Sequence, residues 1–175
     1  MPVHDRFWSS RDVDAMEQVT IREAGPDDAG TVRAMVQALA EFERAPDAVR
    51  ATEADFRRAL GSDPPECRCL LAESAGRPAG FALWFFNFST WEGRRGIYLE
   101  DIFVHDWARG SGVGERLLRH LAGIAVAEGC ARLDLWVLDW NPARRFYERH
   151  GIRHMEGWLP YRVSGEALAA LARGG

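Results

Sequence analysis

Two groups of residues in this sequence have types and spacing suited to chemistry. Glu100 and Asp101 are adjacent carboxylates in the otherwise apolar stretch Gly96–Val104. Carboxylates are costly to bury unless they are paired or used in function. The loop Arg109–Gly114 follows this stretch and opens an amphipathic helix. Because glycines and the amides at a helix start form an anion site, the loop fits a group such as a pyrophosphate, to which Arg109 can add a charge-assisted contact.

Both features have a structural alternative. The glycines can serve only a tight strand-to-helix turn, and the carboxylates can lie on an edge strand beside solvent or arginines. Two better-known phosphate motifs are excluded, because no Gly-Lys-Ser/Thr follows and Glu115 stands where Gly-x-Gly-x-x-Gly needs its last glycine. The five histidines and three cysteines show no metal-ligand spacing, so we expect no metal.

The composition favours one globular, cytoplasmic domain. The chain has 175 residues, of which 47% are hydrophobic and 27% are charged. A net charge of -4 argues against nucleic-acid binding. The sequence contains no apolar run long enough to span a membrane and no apolar signal core at its N-terminus. The odd cysteine count favours reduced thiols over a disulfide framework.

The hydrophobic periodicity predicts an α+β fold, with a mixed, mostly antiparallel central sheet flanked by helices in a single domain. We expect residues 1–18 to form an extension outside the core, free to move, and residues 19–175 to form the domain. The predicted strands are Val19–Glu23, Cys67–Ala72, Ala79–Phe88, Gly96–Val104, Arg132–Leu138 and a last strand pair near the C-terminus. The predicted helices are Ala29–Phe42, Thr52–Leu60, Gly112–Glu128, Pro142–His150 and a tail helix capped by Ser164.

At this point the motifs resemble a known family. An apolar strand followed by Arg-x-x-Gly-x-Gly (Arg109, Gly112, Gly114) resembles the acetyl-CoA-binding signature of the GNAT superfamily of N-acetyltransferases. The segment Asp139–Gly151 resembles its second motif, an Asn-x-x-x-x-x-Tyr helix that ends in glycine. Three shorter stretches are similar to the spermidine/spermine N-acetyltransferase family, which includes thialysine-type enzymes: Leu39–Glu43, Trp91–Gly93 and Tyr98–Val104.

The resemblance implies an enzyme that moves an acetyl group from acetyl-CoA to a primary amine of a small polyamine or diamine-like substrate, by direct transfer in a ternary complex, and typically a homodimer. Glu100 would take a proton from the substrate ammonium through water, and Tyr147 would protonate the leaving CoA thiolate. The implied acetyl-CoA-binding residues are Ile102, Phe103, Val104, Arg109, Gly110, Ser111, Gly112, Val113, Gly114, Asn141, Arg144 and Tyr147. The implied substrate-binding residues are Phe42, Glu43, Trp91, Glu100, Asp101, Trp140 and Trp158.

Several alternatives stay open at the level of sequence. Asn141 can be only a helix N-cap, and Tyr147 can be a helix tyrosine packed beside Phe146. Phe42 stands where the resembled family usually has a tyrosine, which leaves room for a smaller amine or a lysine analogue. The acceptor can also be thialysine, an amino acid, an antibiotic or a protein N-terminus, and the fold can serve as a non-catalytic acyl-CoA-binding module or an interaction protein.

Overall fold

The structure is a computed structural model that describes residues 19–174. The predicted N-terminal extension, residues 1–18, lies outside the described residues. The strands are β1 (Val19–Glu23), β2 (Arg68–Ser74), β3 (Arg77–Ser89), β4 (Arg94–Val104) and β5 (Leu133–Leu135). The helices are α1 (Ala29–Phe42), α2 (Glu53–Gly61), α3 (Val113–Ala127), α4 (Ala143–Arg149) and α5 (Gly165–Ala172).

The five strands form one sheet in the order β1-β2-β3-β4-β5. Neighbouring strands are antiparallel except β4 and β5, which are parallel. The predicted fold class, a mixed and mostly antiparallel sheet flanked by helices, is confirmed. None of the helices in residues 19–174 is both long and apolar enough to cross a membrane.

Helix α1 forms because its apolar residues recur at three- and four-residue steps. Val32, Met35 and Leu39 are buried on one stripe of the helix. This stripe packs with Leu71 of β2 and Phe81 of β3 in one hydrophobic cluster. The predicted helix and its buried face are therefore confirmed. The C-terminal end of α1, at Phe42, packs against the same cluster.

Helix α3 packs close to the sheet through a second stripe, which includes Val113, Leu117 and Leu121, all buried. A Cβ at Gly80 of β3 would lie 2.7 Å from Phe103 O and 3.3 Å from Val113. A side chain at position 80 would therefore push α3 and β4 away from β3. This close packing holds the start of α3 beside the end of β4.

A β-bulge interrupts the pairing of β3 with β4. Leu83 pairs with Asp101 and Trp84 pairs with Leu99, so Glu100 is the extra residue on β4. Bulges locally bend a strand and redirect side chains. Strand β5 pairs with β4 only over Ile97–Leu99, so within residues 19–174 the edge of β4 beyond Leu99 has no strand neighbour.

Two strand predictions near the C-terminal end are wrong. The predicted strand Arg132–Leu138 is only Leu133–Leu135, because β4 pairs with it no further than Leu99. The predicted last strand pair is absent from the described residues 152–164. A strand needs a neighbour for its backbone hydrogen bonds, and none is described beyond Leu135.

The described chain forms two compact units, the first ending at Trp136 and the second beginning at Val137. The first unit carries the sheet and helices α1, α2 and α3. The second carries α4 and α5. The predicted tail helix follows Ser164 as expected, although the Ser164 side chain makes no capping hydrogen bond.

Candidate active site

The first unit gathers three carboxylates beside the bulge of β4. Glu100 is exposed, whereas Asp101 is half-buried and pairs with Leu83 on the face that α1 covers. Burial, together with the negative charges of Glu100 and Glu43, raises the pKa of Asp101 from its usual 3.8 to about 6. Burial also raises the pKa of Glu43, which directly follows α1. The predicted residues Glu43, Glu100 and Asp101 therefore lie close enough for their charges to interact, and we call these three residues the carboxylate cluster.

The carboxylate cluster favours a cationic ligand. The charged groups that act on the pKa of Asp101 are both negative, so the cluster repels itself when all three carboxylates ionise. An ammonium group placed among them would relieve this repulsion. Among residues 19–174 no group of three His, Cys, Asp or Glu side chains has a geometry that could hold a metal ion.

An aromatic surface extends from the carboxylate cluster along β3 and β4. Tyr98 stacks on Phe85, with ring centroids 5.2 Å apart, and meets the Trp136 ring edge-on at 6.1 Å. Trp136 is 57% exposed, so it offers an aromatic face to a cation in solution. Trp136 is not among the residues predicted from the sequence, because only the parallel register that pairs Tyr98 with Asp134 places it on the same face as Tyr98.

The glycine loop begins after β4 with the short 3-10 turn Asp106–Ala108. Gly110 and Gly112 have positive φ angles of 79° and 82°, a conformation that favours glycine. A Cβ at either position would meet nothing within 4 Å, so the loop surface is open to a ligand. The hydroxyl of Ser111 donates to the carbonyl of Ala108 (2.6 Å) and braces the turn from within.

The start of α3 is suited to an anion. Gly112 is the N-cap and supplies no side-chain cap, so the amides of Val113 and Gly114 lie at the positive end of a 15-residue helix. These residues fit the pyrophosphate predicted from the sequence. The predicted glycine turn and helix start are therefore present, although the side chain of Arg109 contacts other residues of the protein.

The guanidinium of Arg109 is held by the protein itself. It pairs with Asp106 (2.8 Å), and its Nε donates to the carbonyl of Val104 (3.1 Å). It also lies over the rings of Phe42 and Phe103, 4.6 Å and 5.7 Å from their centroids. Predicted residues from the acceptor side (Phe42) and from the loop (Arg109) are thus in direct contact.

The open edge of β4 supplies backbone donors. The amide of His105 donates to Ala79 O (2.9 Å), toward β3. Because amides alternate between the two edges of a strand, those of Val104 and Ile102 point toward the other edge, where β5 has ended. Of the three predicted β4 residues, Ile102 and Val104 therefore present donors at this edge, while the side chain of Phe103 is buried beneath Arg109.

The second unit holds the remaining motif. The side-chain oxygen of buried Asn141 accepts a hydrogen bond from the Ala143 amide (2.9 Å). The N-cap of α4 is Pro142, one residue later than the sequence interpretation of Asn141 as the N-cap. Arg144 donates to the carbonyl of Asp139 (3.0 Å). Tyr147 is buried and meets Phe146 at a ring-centroid distance of 5.5 Å, so the predicted packing contact is present.

The three predicted tryptophans are exposed, one in the first unit and two in the second. Trp91 is 89% exposed at the tip of the β3–β4 hairpin. The strand from Arg94 to Glu100 spans about 20 Å at the usual rise per residue, so Trp91 is remote from the carboxylate cluster of its own chain. Trp140 and Trp158 are exposed residues of the second unit.

Comparison with known proteins gives consistent matches. Residues 32–152 match the profile described as the acetyltransferase (GNAT) family. Thialysine N-epsilon-acetyltransferase from Bos taurus is 38% identical over 169 residues, which cover 90% of this chain and 99% of the bovine protein. Spermidine/spermine N(1)-acetyltransferase-like protein 1 from Homo sapiens is 31% identical over 169 residues, 90% of this chain and 24% of the human protein.

A solved structure shares the architecture. An integron cassette protein from the mobile metagenome of V. cholerae superposes with a TM-score of 0.75 at 28% sequence identity. The match covers 89% of this chain and 98% of that chain. The arrangement of sheet and helices is therefore one that an experimental structure also contains.

Proposed function

The chain belongs to the GNAT family of acetyltransferases, whose members use acetyl-CoA as co-substrate, and we propose that it acetylates a primary amine of a small di- or polyamine-like substrate by direct transfer in a ternary complex. Residues 19–175 form the proposed acetyltransferase domain. The observation that carries the acceptor class is the carboxylate cluster of Glu43, Glu100 and Asp101. A second, distal ammonium of the acceptor fits beside Tyr98 and Trp136 through cation–π contacts.

The proposed chemistry begins with removal of a proton from the acceptor. Alkylammonium groups have pKa values near 10, so at neutral pH the acceptor arrives charged and cannot attack. Glu100 is exposed at the bulge and takes this proton through water, which leaves a neutral amine in the cluster. Asp101 and Glu43 hold the ammonium that reacts until this proton is removed.

The amine nitrogen then forms a bond to the thioester carbon, and the carbon–sulfur bond breaks. The β4 amides at Ile102 and Val104 are the proposed donors to the carbonyl oxygen as negative charge develops on it. Tyr147 is the proposed acid that returns a proton to the CoA thiolate. Backbone amides of the loop from Gly110 to Gly114 are the proposed pyrophosphate ligands.

Asn141 and Arg144 are the remaining proposed contacts to acetyl-CoA, and Trp140 and Trp158 remain predicted acceptor contacts. The nitrogen loses two protons, one through Glu100 before attack and one as the amide forms. One of them replaces the proton that Tyr147 gives to the thiolate, and the other is released to solvent. The products are therefore the amide, CoA thiol and one proton, and no covalent enzyme intermediate is required. The homodimer and the cytoplasmic location stay predictions.

Thialysine is a second candidate acceptor. It is favoured by the bovine relative, which bears the name of a thialysine acetyltransferase and matches across 99% of its own length. Phe42 also supports a lysine analogue, since it lacks the hydroxyl that a tyrosine would offer to a further amine. Thialysine and diamines share a terminal ammonium on a flexible chain, which the same carboxylate cluster accepts.

A thiol-release assay with acetyl-CoA tests the proposal. The amines are spermidine, spermine, putrescine, thialysine, lysine and an aminoglycoside. We expect turnover with one or two of them, and Glu43→Gln should raise the KM for that amine. Glu41→Gln is the matched control, because Glu41 is an exposed residue of α1 outside the cluster. No turnover with any amine despite acetyl-CoA binding, or equal effects of both variants, would contradict the proposal.

A further inference from the structure

The side chain of Arg109 joins the acetyl-CoA loop to the helix that carries the acceptor site. Its guanidinium lies 4.6 Å over Phe42, the last residue of α1. The neighbouring residue Glu43 belongs to the carboxylate cluster. At its other end, the backbone of Arg109 directly precedes the two positive-φ glycines of the loop, Gly110 and Gly112.

We propose that Arg109 is a positioning residue, which sets the glycine loop by stacking on Phe42 and closing the end of β4, and that its charge does not pair with the pyrophosphate. The inference rests on the proposed binding of acetyl-CoA by this loop. It also assigns Phe42 a role in acetyl-CoA binding, although Phe42 was predicted as an acceptor-site residue.

The charge of Arg109 already has a partner within the protein. Asp106 lies 2.8 Å away, three residues earlier on the same turn. A phosphate that bound this guanidinium would compete with the Asp106 carboxylate for it. The anion instead has the amides at the start of α3.

Arg109 also binds the end of β4, because its Nε donates a hydrogen bond to Val104 O (3.1 Å). Val104 is the last residue of β4, and its carbonyl points to the edge where β5 has ended. Arg109 therefore connects the start of the loop to the end of β4. Its guanidinium packs over the rings of Phe42 and Phe103.

Two substitutions separate positioning from charge pairing. In Arg109→Gln, the side-chain Nε2 is as many bonds from the backbone as the arginine Nε, so it can donate to Val104 O and lay a flat amide toward Phe42 without a positive charge. Arg109→Lys keeps the charge but loses the planar group that stacks. Positioning predicts rescue by glutamine, and charge pairing predicts rescue by lysine.

The experiment measures the acetyl-CoA Kd by calorimetry and amide hydrogen exchange of residues 105–116 in the apoprotein. We expect Arg109→Ala and Phe42→Leu each to weaken binding roughly three- to tenfold and to speed exchange, with the double variant no worse than the single ones, as for residues in contact. Arg109→Gln should recover most of the lost affinity and protection, and Arg109→Lys should recover little.

Arg95→Ala is the matched control. Arg95 likewise stacks on a phenylalanine, 4.6 Å from the Phe86 centroid, and pairs with a carboxylate, Glu128 (3.4 Å), but it lies near the hairpin tip. Its replacement should leave the acetyl-CoA Kd unchanged.

Three results would overturn the inference. They are recovery of affinity by Arg109→Lys, additive effects of Arg109→Ala and Phe42→Leu on the acetyl-CoA Kd, and amide exchange rates that neither of these two variants changes. The exchange measurement needs no ligand. A wild-type protein that binds no acetyl-CoA would therefore refute the proposed function, while the apoprotein exchange would still decide whether Arg109 sets the loop.

Discussion

Replacing Asp101 by asparagine should stabilise the protein while damaging its acceptor site. Burial, together with the negative charges of Glu100 and Glu43, raises the pKa of Asp101 from 3.8 to about 6. A carboxyl group with a raised pKa in the folded state favours folding when protonated and opposes it when ionised. The contribution of Asp101 to the stability of the apoprotein should therefore fall as the pH rises from about 4 to 6, and the loss should persist at higher pH.

The size of the effect follows from the shift. A rise of about two pKa units corresponds to roughly 3 kcal/mol of folding free energy at pH 7. For a chain of this length, each kcal/mol changes Tm by about 2–4 °C, so Asp101→Asn should raise Tm by up to about 6–12 °C at pH 7. At pH 4 the advantage should largely vanish, because Asp101 is then neutral in the wild type too.

Thermal unfolding of the apoproteins at several pH values between 4 and 8 measures this difference. Asp47→Asn is the control, since Asp47 is an exposed residue of a short 3-10 turn outside the cluster. The same Asp101→Asn protein should show a higher KM for a diamine, because one carboxylate of the cluster is lost. A variant that is less stable than wild type at pH 8, or a stability gain that does not depend on pH, would refute the reasoning.

Three further predictions test the proposed chemistry and the loop. Glu100→Gln should lower kcat by about 10²–10⁴-fold at pH 7. The loss of kcat should become smaller as the pH rises toward the pKa of the amine, because the amine then arrives already neutral. A loss of kcat that stays constant across the pH–rate profile would argue against Glu100 as a base. Tyr147→Phe should lower kcat at least about 10²-fold with little change in the acetyl-CoA Kd from calorimetry, whereas a weakened Kd with unchanged kcat would leave only the packing role. Gly112→Ala should cost about 1–2 kcal/mol because its φ is 82°, whereas Gly123→Ala, inside α3, should stabilise by about 0.5–1 kcal/mol; chemical denaturation measures both, and equal signs would contradict the prediction.

The helices and the central strands could be predicted from the sequence, because their signals are local. The stripe of Val32, Met35 and Leu39 identifies α1 without knowledge of what it packs against. The predicted strand after Arg132 and the last strand pair failed for the opposite reason. Whether an extended segment becomes a strand depends on a neighbour that can pair with it, and β4 pairs with β5 no further than Leu99.

The candidate site divides along the same line. The glycine loop, the helix that follows it and the adjacent pair Glu100 and Asp101 could be recognised from the sequence, because these features are contiguous and their chemistry depends on backbone conformation and residue type. Three contacts became visible only in the folded chain: Glu43 approaches this pair, Trp136 meets Tyr98, and the Arg109 guanidinium contacts both Asp106 and Phe42. These contacts join residues that register, a one-residue bulge and helix packing bring together, and such long-range geometry leaves no local pattern in the chain.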